Sequence, residues 1–111
     1  MIARYVQKGN AIDYRPASAV AAGDVIVQGN LVGIARLDIP AETLGALSVV
    51  GVYEIAKATG AVTVGAALYW DATAKNVTTT STNNTYIGKA VAAAEAADAT
   101  AFVLLNAPHV A

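Results

Sequence analysis

Val50-Gly51-Val52-Tyr53-Glu54-Ile55-Ala56-Lys57, Gly65-Ala66-Ala67-Leu68-Tyr69-Trp70-Asp71, Val77-Thr78-Thr79-Thr80 and Ile87-Gly88-Lys89-Ala90 follow one another through the middle of the chain. Each is a short apolar or alternating run, and Gly, Thr, Asn and Asp fill the gaps. Strands favour the first kind of residue and turns the second. In the first run Val50 and Val52 point one way while Tyr53 and Ile55 point the other. Both faces are apolar, which predicts a strand covered on both sides.

Working outward, the same grammar continues. Ile2 to Gln7 reads as a first strand, followed by the turn pair Gly9-Asn10. Ala11-Ile12-Asp13-Tyr14-Arg15 alternates and must end, or lie on an edge, at Pro16, which cannot donate to a ladder. Val25-Ile26-Val27-Gln28 and Leu31-Val32-Gly33-Ile34-Ala35-Arg36 flank Gly29-Asn30, the signature of a tight hairpin. Asp38-Ile39-Pro40-Ala41-Glu42 reads as a helix start with Asp as cap, limited to one turn by Gly45. Val20-Ala21-Ala22-Gly23-Asp24-Val25 and Val62-Thr63-Val64-Gly65-Ala66-Ala67-Leu68 share one pattern, read as a single turn type used twice. Helix propensity favours Lys89 to Ala97. Yet Ile87 is β-branched, Gly88 weakens a helix start and no side chain caps it. The segment is read as a strand to about Ala93, a turn at Ala97-Asp98 and a closing strand to Leu105. The fold class is all-β: a small single domain over residues 1–111, a barrel or sandwich of short antiparallel strands, with at most one short helical turn.

Composition narrows function by exclusion. The 111 residues carry a formal net charge of −1, and only 14% are charged. The seven bases, Arg4, Lys8, Arg15, Arg36, Lys57, Lys75 and Lys89, are scattered singly, which argues against nucleic acid as a partner. Cysteine is absent and His109 is the single histidine. A zinc site needs three or four such ligands and a catalytic triad needs a held base, so no metal, cofactor, catalytic residue or small-molecule substrate is expected. The only Gly-Lys is Gly88-Lys89. A P-loop would need a glycine at position 83, which is Asn83, and Ser or Thr at position 90, which is Ala90. The aspartates Asp13, Asp24, Asp38, Asp71 and Asp98 sit beside turn residues and read as turn chemistry. No signal-peptide h-region and no membrane-spanning run is visible, so synthesis in the cytoplasm is expected. The hydrophobic share of 56% is high for so few charges. It suggests apolar surface meeting a partner as readily as an alanine-rich core.

Taken in order, Gly9-Asn10-Ala11-Ile12-Asp13-Tyr14, Ala22-Gly23-Asp24-Val25-Ile26-Val27, Gly33-Ile34-Ala35, Val50 to Lys57, Tyr69-Trp70-Asp71, Val77-Thr78 and Ile87-Gly88-Lys89-Ala90 resemble the small cement, or decoration, proteins of tailed bacteriophages. That family is often mislabelled as a RecA/RadA-type recombinase. The resemblance runs from about residue 4 to 106. It departs at Glu42, where a glycine turn is expected, and at Ala66, where the family tends to Asp. It implies a non-enzymatic virion protein, made in the host bacterial cytoplasm. It implies a homotrimer on the outside of an icosahedral head, with the major capsid protein as partner. Another virion module, of tail or fibre, or a small ligand-binding β domain are the alternatives.

Two places are expected to carry interfaces. Residues 1–14 form either the first internal strand or a contacting arm, with Ile2, Arg4, Tyr5, Val6, Ile12 and Tyr14 as anchors. Tyr69 and Trp70 are adjacent, so in a strand they face opposite ways. One of them should meet a neighbouring subunit or a covering loop.

Overall fold

A computed structural model describes residues 2–107. His109 lies outside them. The described chain is all-β, with nine strands. In order they are β1 (Ala11–Tyr14), β2 (Val25–Gln28), β3 (Leu31–Ala35), β4 (Gly45–Ser48), β5 (Val52–Ala56), β6 (Ala67–Asp71), β7 (Asn76–Thr78), β8 (Thr85–Ala90) and β9 (Thr100–Leu105). They form two antiparallel sheets, ordered β1-β4-β3-β2 and β5-β9-β8-β6-β7. Of the two expected architectures the closed barrel is excluded, because both sheets are open. The second sheet curls until its edges touch at one parallel bridge, Lys57 to Val77, without closing. Contacts divide the chain into two units, residues 2–26 with 33–49 and residues 27–32 with 50–107.

In the first unit Val20, Ala35, Ile39 and Leu47 form the core, and Ile12, Tyr14 and Ile26 pack against it. β4 lies between β1 and β3, with Ile12 opposite Leu47 and Ala35 also opposite Leu47. In the second unit Leu68, Val77, Ile87 and Val103 are fully buried. Each such side chain contributes about 1.5–3 kcal/mol on burial. β9 alternates strictly, with Ala101, Val103 and Leu105 inward and Phe102 and Leu104 outward.

One turn recurs through both units. Val20 bridges Ile39, and Val62 bridges Ala94. After each of these residues comes a four-residue turn closed by a backbone hydrogen bond. Asp24 N donates to Ala21 O (3.1 Å), Thr43 N to Pro40 O (3.2 Å), Ala66 N to Thr63 O (3.1 Å) and Asp98 N to Glu95 O (3.0 Å). Gly23, Glu42 and Gly65, third in their turns, have φ of 91°, 59° and 84°, as a type II turn requires. Around the turns the bonding is also shared. Gly23 N to Ala35 O (2.6 Å) and Ala35 N to Asp24 O (3.0 Å) match Gly65 N to Ala90 O (2.8 Å) and Ala90 N to Ala66 O (3.0 Å). The two sheets thus follow one plan, β1-β4-β3-β2 matching β5-β9-β8-β6, with β7 added to the second.

Four expectations need correction. The turn noticed twice in sequence recurs after Ile39 with the same positive φ, and a turn with the same closing bond but without that φ follows Ala94. The first of these, Pro40 to Thr43, is not a helix start, because Ile39 is held in a bridge to Val20. Ile2 to Gln7 pairs with nothing as a strand; pairing begins at Ala11. β5 is an edge strand covered on one face only, since Ile55 is buried while Val52 is 55% exposed. The Gly29-Asn30 hairpin stands as read: φ is positive at Gly29 alone of the pair, the pattern of a type II′ turn. Lys89 to Ala101 contains no helix. β8 ends at Ala90, Ala94 makes its bridge, and a turn leads into β9.

Candidate functional site

Four of the aspartates read as turn residues accept hydrogen bonds from backbone amides. Asp24 Oδ2 accepts from Ala21 N (3.0 Å), Asp38 Oδ1 from Ala22 N (2.7 Å) and Asp98 Oδ2 from Glu95 N (2.8 Å). Asp71 Oδ1 accepts from Thr73 N and Ala74 N, both at 3.0 Å. Those of Asp24, Asp71 and Asp98 are local turn bonds, while Asp38 reaches across to the Ala21–Asp24 turn. Gly88-Lys89 lies inside β8, so it is a strand pair and not a phosphate loop. Gly88 is there because β9 passes too close for a side chain: a Cβ would overlap Leu104 O and lie 2.9 Å from Leu104 C. Among the described residues no group of three or more His, Asp or Glu side chains is placed to hold a metal ion.

Sequence reading passed over Lys57 as one scattered base. It is 8% exposed. Its Nζ donates to the carbonyls of Gly60 (2.8 Å), Ala58 (2.9 Å) and Ala96 (3.3 Å). A buried ammonium needs such partners. Here three backbone oxygens supply them and tie the 58–60 loop to the Glu95 turn. Tyr86 is also tied in: its hydroxyl donates to Ala107 O at 2.6 Å. Burial first, and the neighbouring Tyr69 second, push its pKa above the usual 10.0.

The expected interface residues separate into three groups. Ile2, Arg4, Tyr5 and Val6 lie on an arm before β1 and are exposed, Ile2 fully and Tyr5 and Val6 by 79% and 75%. Ile12 and Tyr14 belong to β1 and spend part of their surface on the chain's own core. Tyr69 and Trp70 are both half-buried. Tyr69 meets Tyr86 edge-on, with ring centroids 5.8 Å apart and planes at 69°, and Trp70 stands opposite Val77 and Thr85. The register of β6 on β8 slips by one between Leu68 and Tyr69, where β8 carries the extra residue of a bulge. A second exposed apolar group was missed: Val52, Phe102, Leu104 and Val91, between 40% and 55% exposed. The alternation of Phe102 and Leu104 with buried Val103 and Leu105 was the signal for it.

Backbone amides thus occupy the aspartate carboxylates of the turns, and a set of apolar side chains faces outward. The sequence model for phage cement proteins matches residues 6–105. The chain belongs to the phage cement protein family. It is therefore a structural component of a phage capsid. The cement-protein match spans both units, from the arm through β9. Neither the curated proteins nor the solved structures compared with the chain give a significant match.

Proposed function

We propose that this cement protein binds the outer surface of an icosahedral phage head as a homotrimer and stabilises the assembled shell. The major capsid protein is its partner, and the virion exterior is its location after synthesis in the host cytoplasm. The family match over residues 6–105 carries this reading. The mechanism is mass action. A ligand that binds the closed shell and not its dissociated parts stabilises the shell by about 2.7 kcal/mol per site at a hundredfold excess over Kd. Summed over many sites, modest affinities resist the pressure of packaged DNA. No step requires a catalytic residue, cofactor, membrane or nucleic acid.

The arm is the proposed capsid contact. An exposed terminal segment bearing Ile2, Tyr5 and Val6 is suited to ordering on a partner. Imaging of purified heads tests the whole reading. Exterior density must vanish when the gene is deleted and return when the protein is added back. Removing residues 1–8 tests the arm: the truncated protein should stay folded and trimeric and no longer decorate heads. Decoration at unchanged affinity would move the contact elsewhere.

A further inference from the structure

The outward face of the second sheet at β5, β9 and β8 is exposed, with Thr100 Oγ1 donating to Glu54 Oε2 (2.7 Å) within it. Directly opposed residues of antiparallel strands share a face. Val52 stands opposite Leu104, and Leu104 opposite Lys89. Two residues along, Glu54 stands opposite Phe102, and Phe102 O accepts from Val91 N at 3.0 Å. The face therefore reads as two rows, Val52-Leu104-Lys89 and Glu54-Phe102-Val91. Its four apolar members are 55%, 40%, 46% and 43% exposed in the order Val52, Leu104, Phe102, Val91. The inward side of the same strands holds Ile55, Ala101 and Val103, all buried. Both sides of this part of the sheet are thus built as packing surfaces.

The charges decide the occupant. Glu54 lies on β5 and Lys89 on β8, with β9 between them. Two interstrand spacings separate these strands by about 10 Å, so acid and base sit on opposite flanks of one apolar strip. A surface that carries its own complement in this way suits another copy of itself. Copies related by a rotation set Glu54 of one against Lys89 of the next, in the same sense at each contact, which is what a closed heterologous ring needs. A net charge of −1 gives no comparable long-range attraction to a partner of either sign.

We infer that this face is the contact between copies of the chain, with Glu54 of each subunit paired to Lys89 of the next around an apolar centre of Val52, Phe102, Leu104 and Val91. The inference rests on the homotrimer reading and says which surface makes it.

Charge reversal tests it. Glu54→Lys and Lys89→Glu should each raise the concentration needed for assembly by at least about tenfold in sedimentation equilibrium, because every contact in the ring becomes like-charged. The double variant should recover to within about threefold of wild type. Folding of each is checked by circular dichroism. A second measurement uses the absence of native cysteine. Glu54→Cys combined with Lys89→Cys should oxidise to a covalent three-chain species on a non-reducing gel. If wild type is a trimer and both single reversals assemble unchanged, or the double cysteine variant stays single-chain, the face is overturned and the trimer survives. If wild type sediments as one chain, the trimer reading fails and this inference with it.

Discussion

Gly88→Ala places a methyl group where β8 and β9 leave no room. The added Cβ would overlap Leu104 O and lie 2.9 Å from Leu104 C and 3.0 Å from Val103 Cγ1. Two of these contacts are backbone, so no side-chain rotation relieves them. A carbon against a carbonyl oxygen settles near 3.3 Å at closest, so the strands must part by on the order of 1 Å. Overpacking of this kind costs about 1–3 kcal/mol. The same movement strains the ladder at Gly88–Leu105 and Lys89–Leu104, where two lost bonds at about 1 kcal/mol each are at stake. Together the loss is about 3–5 kcal/mol, or at least about 12 °C in Tm for a domain of this size. Gly65→Ala is the control. Its Cβ would meet nothing within 4 Å, so only the φ of +84° opposes it, at about 1–2 kcal/mol. Thermal and urea unfolding at one fixed protein concentration measure both. If Gly88→Ala melts within about 4 °C of wild type, or no lower than Gly65→Ala, the close approach of β8 to β9 is wrong.

Lys57→Met keeps the apolar stem and leaves the carbonyls of Ala58, Gly60 and Ala96 without their ammonium donor; urea unfolding should show a loss of about 2–4 kcal/mol. Ala66→Asp restores to the third turn the carboxylate that Asp24 and Asp98 use in theirs, and should raise stability by about 0.5–1 kcal/mol through acceptance from Thr63 N. For Tyr86 the folded pKa lies above the ordinary 10.0, mainly through burial. Its stabilising contribution is therefore complete below pH 10 and lost as pH rises through the folded value. Stability measured from neutral pH upward should fall in that alkaline window, and Tyr86→Phe should flatten the fall. Absorbance at 295 nm should contain a late-titrating component that the same variant removes.

Much of the fold was legible where local and tertiary preferences agree. Gly29-Asn30 marks a hairpin by its own backbone chemistry, and the alternation through Phe102 to Leu105 needs no partner to be recognised. β4 was not legible. Gly45-Ala46-Leu47-Ser48 has no β-branched residue, and becomes a strand because β1 and β3 offer it two ladders. Pro40 misled because a proline preset at φ near −65° serves a helix start and a turn equally; the bridge from Ile39 to distant Val20 decides between them. Ile2 to Gln7 misled in the opposite sense, with strand-like composition and no neighbour to pair with. Ile12 and Tyr14 were grouped with the arm by proximity in sequence, but alternation in β1 turns them onto the core. Lys57 carried no local signal at all. Its three acceptors come from positions 58, 60 and 96, and only the turn at Glu95 brings the last of them within reach.

The repeated plan of the two sheets differs at one tip. Between β2 and β3 stand two residues, Gly29 and Asn30, whereas the corresponding strands β6 and β8 are separated by residues 72–84, which include β7. The second sheet carries about a dozen more residues at that tip with the same bridges and strand order. Tight tips between paired strands are where added sequence is best tolerated. The Gly29-Asn30 tip is thus the natural place to splice a foreign loop or epitope into this chain, with the second sheet as the worked example of a longer tip on the same plan.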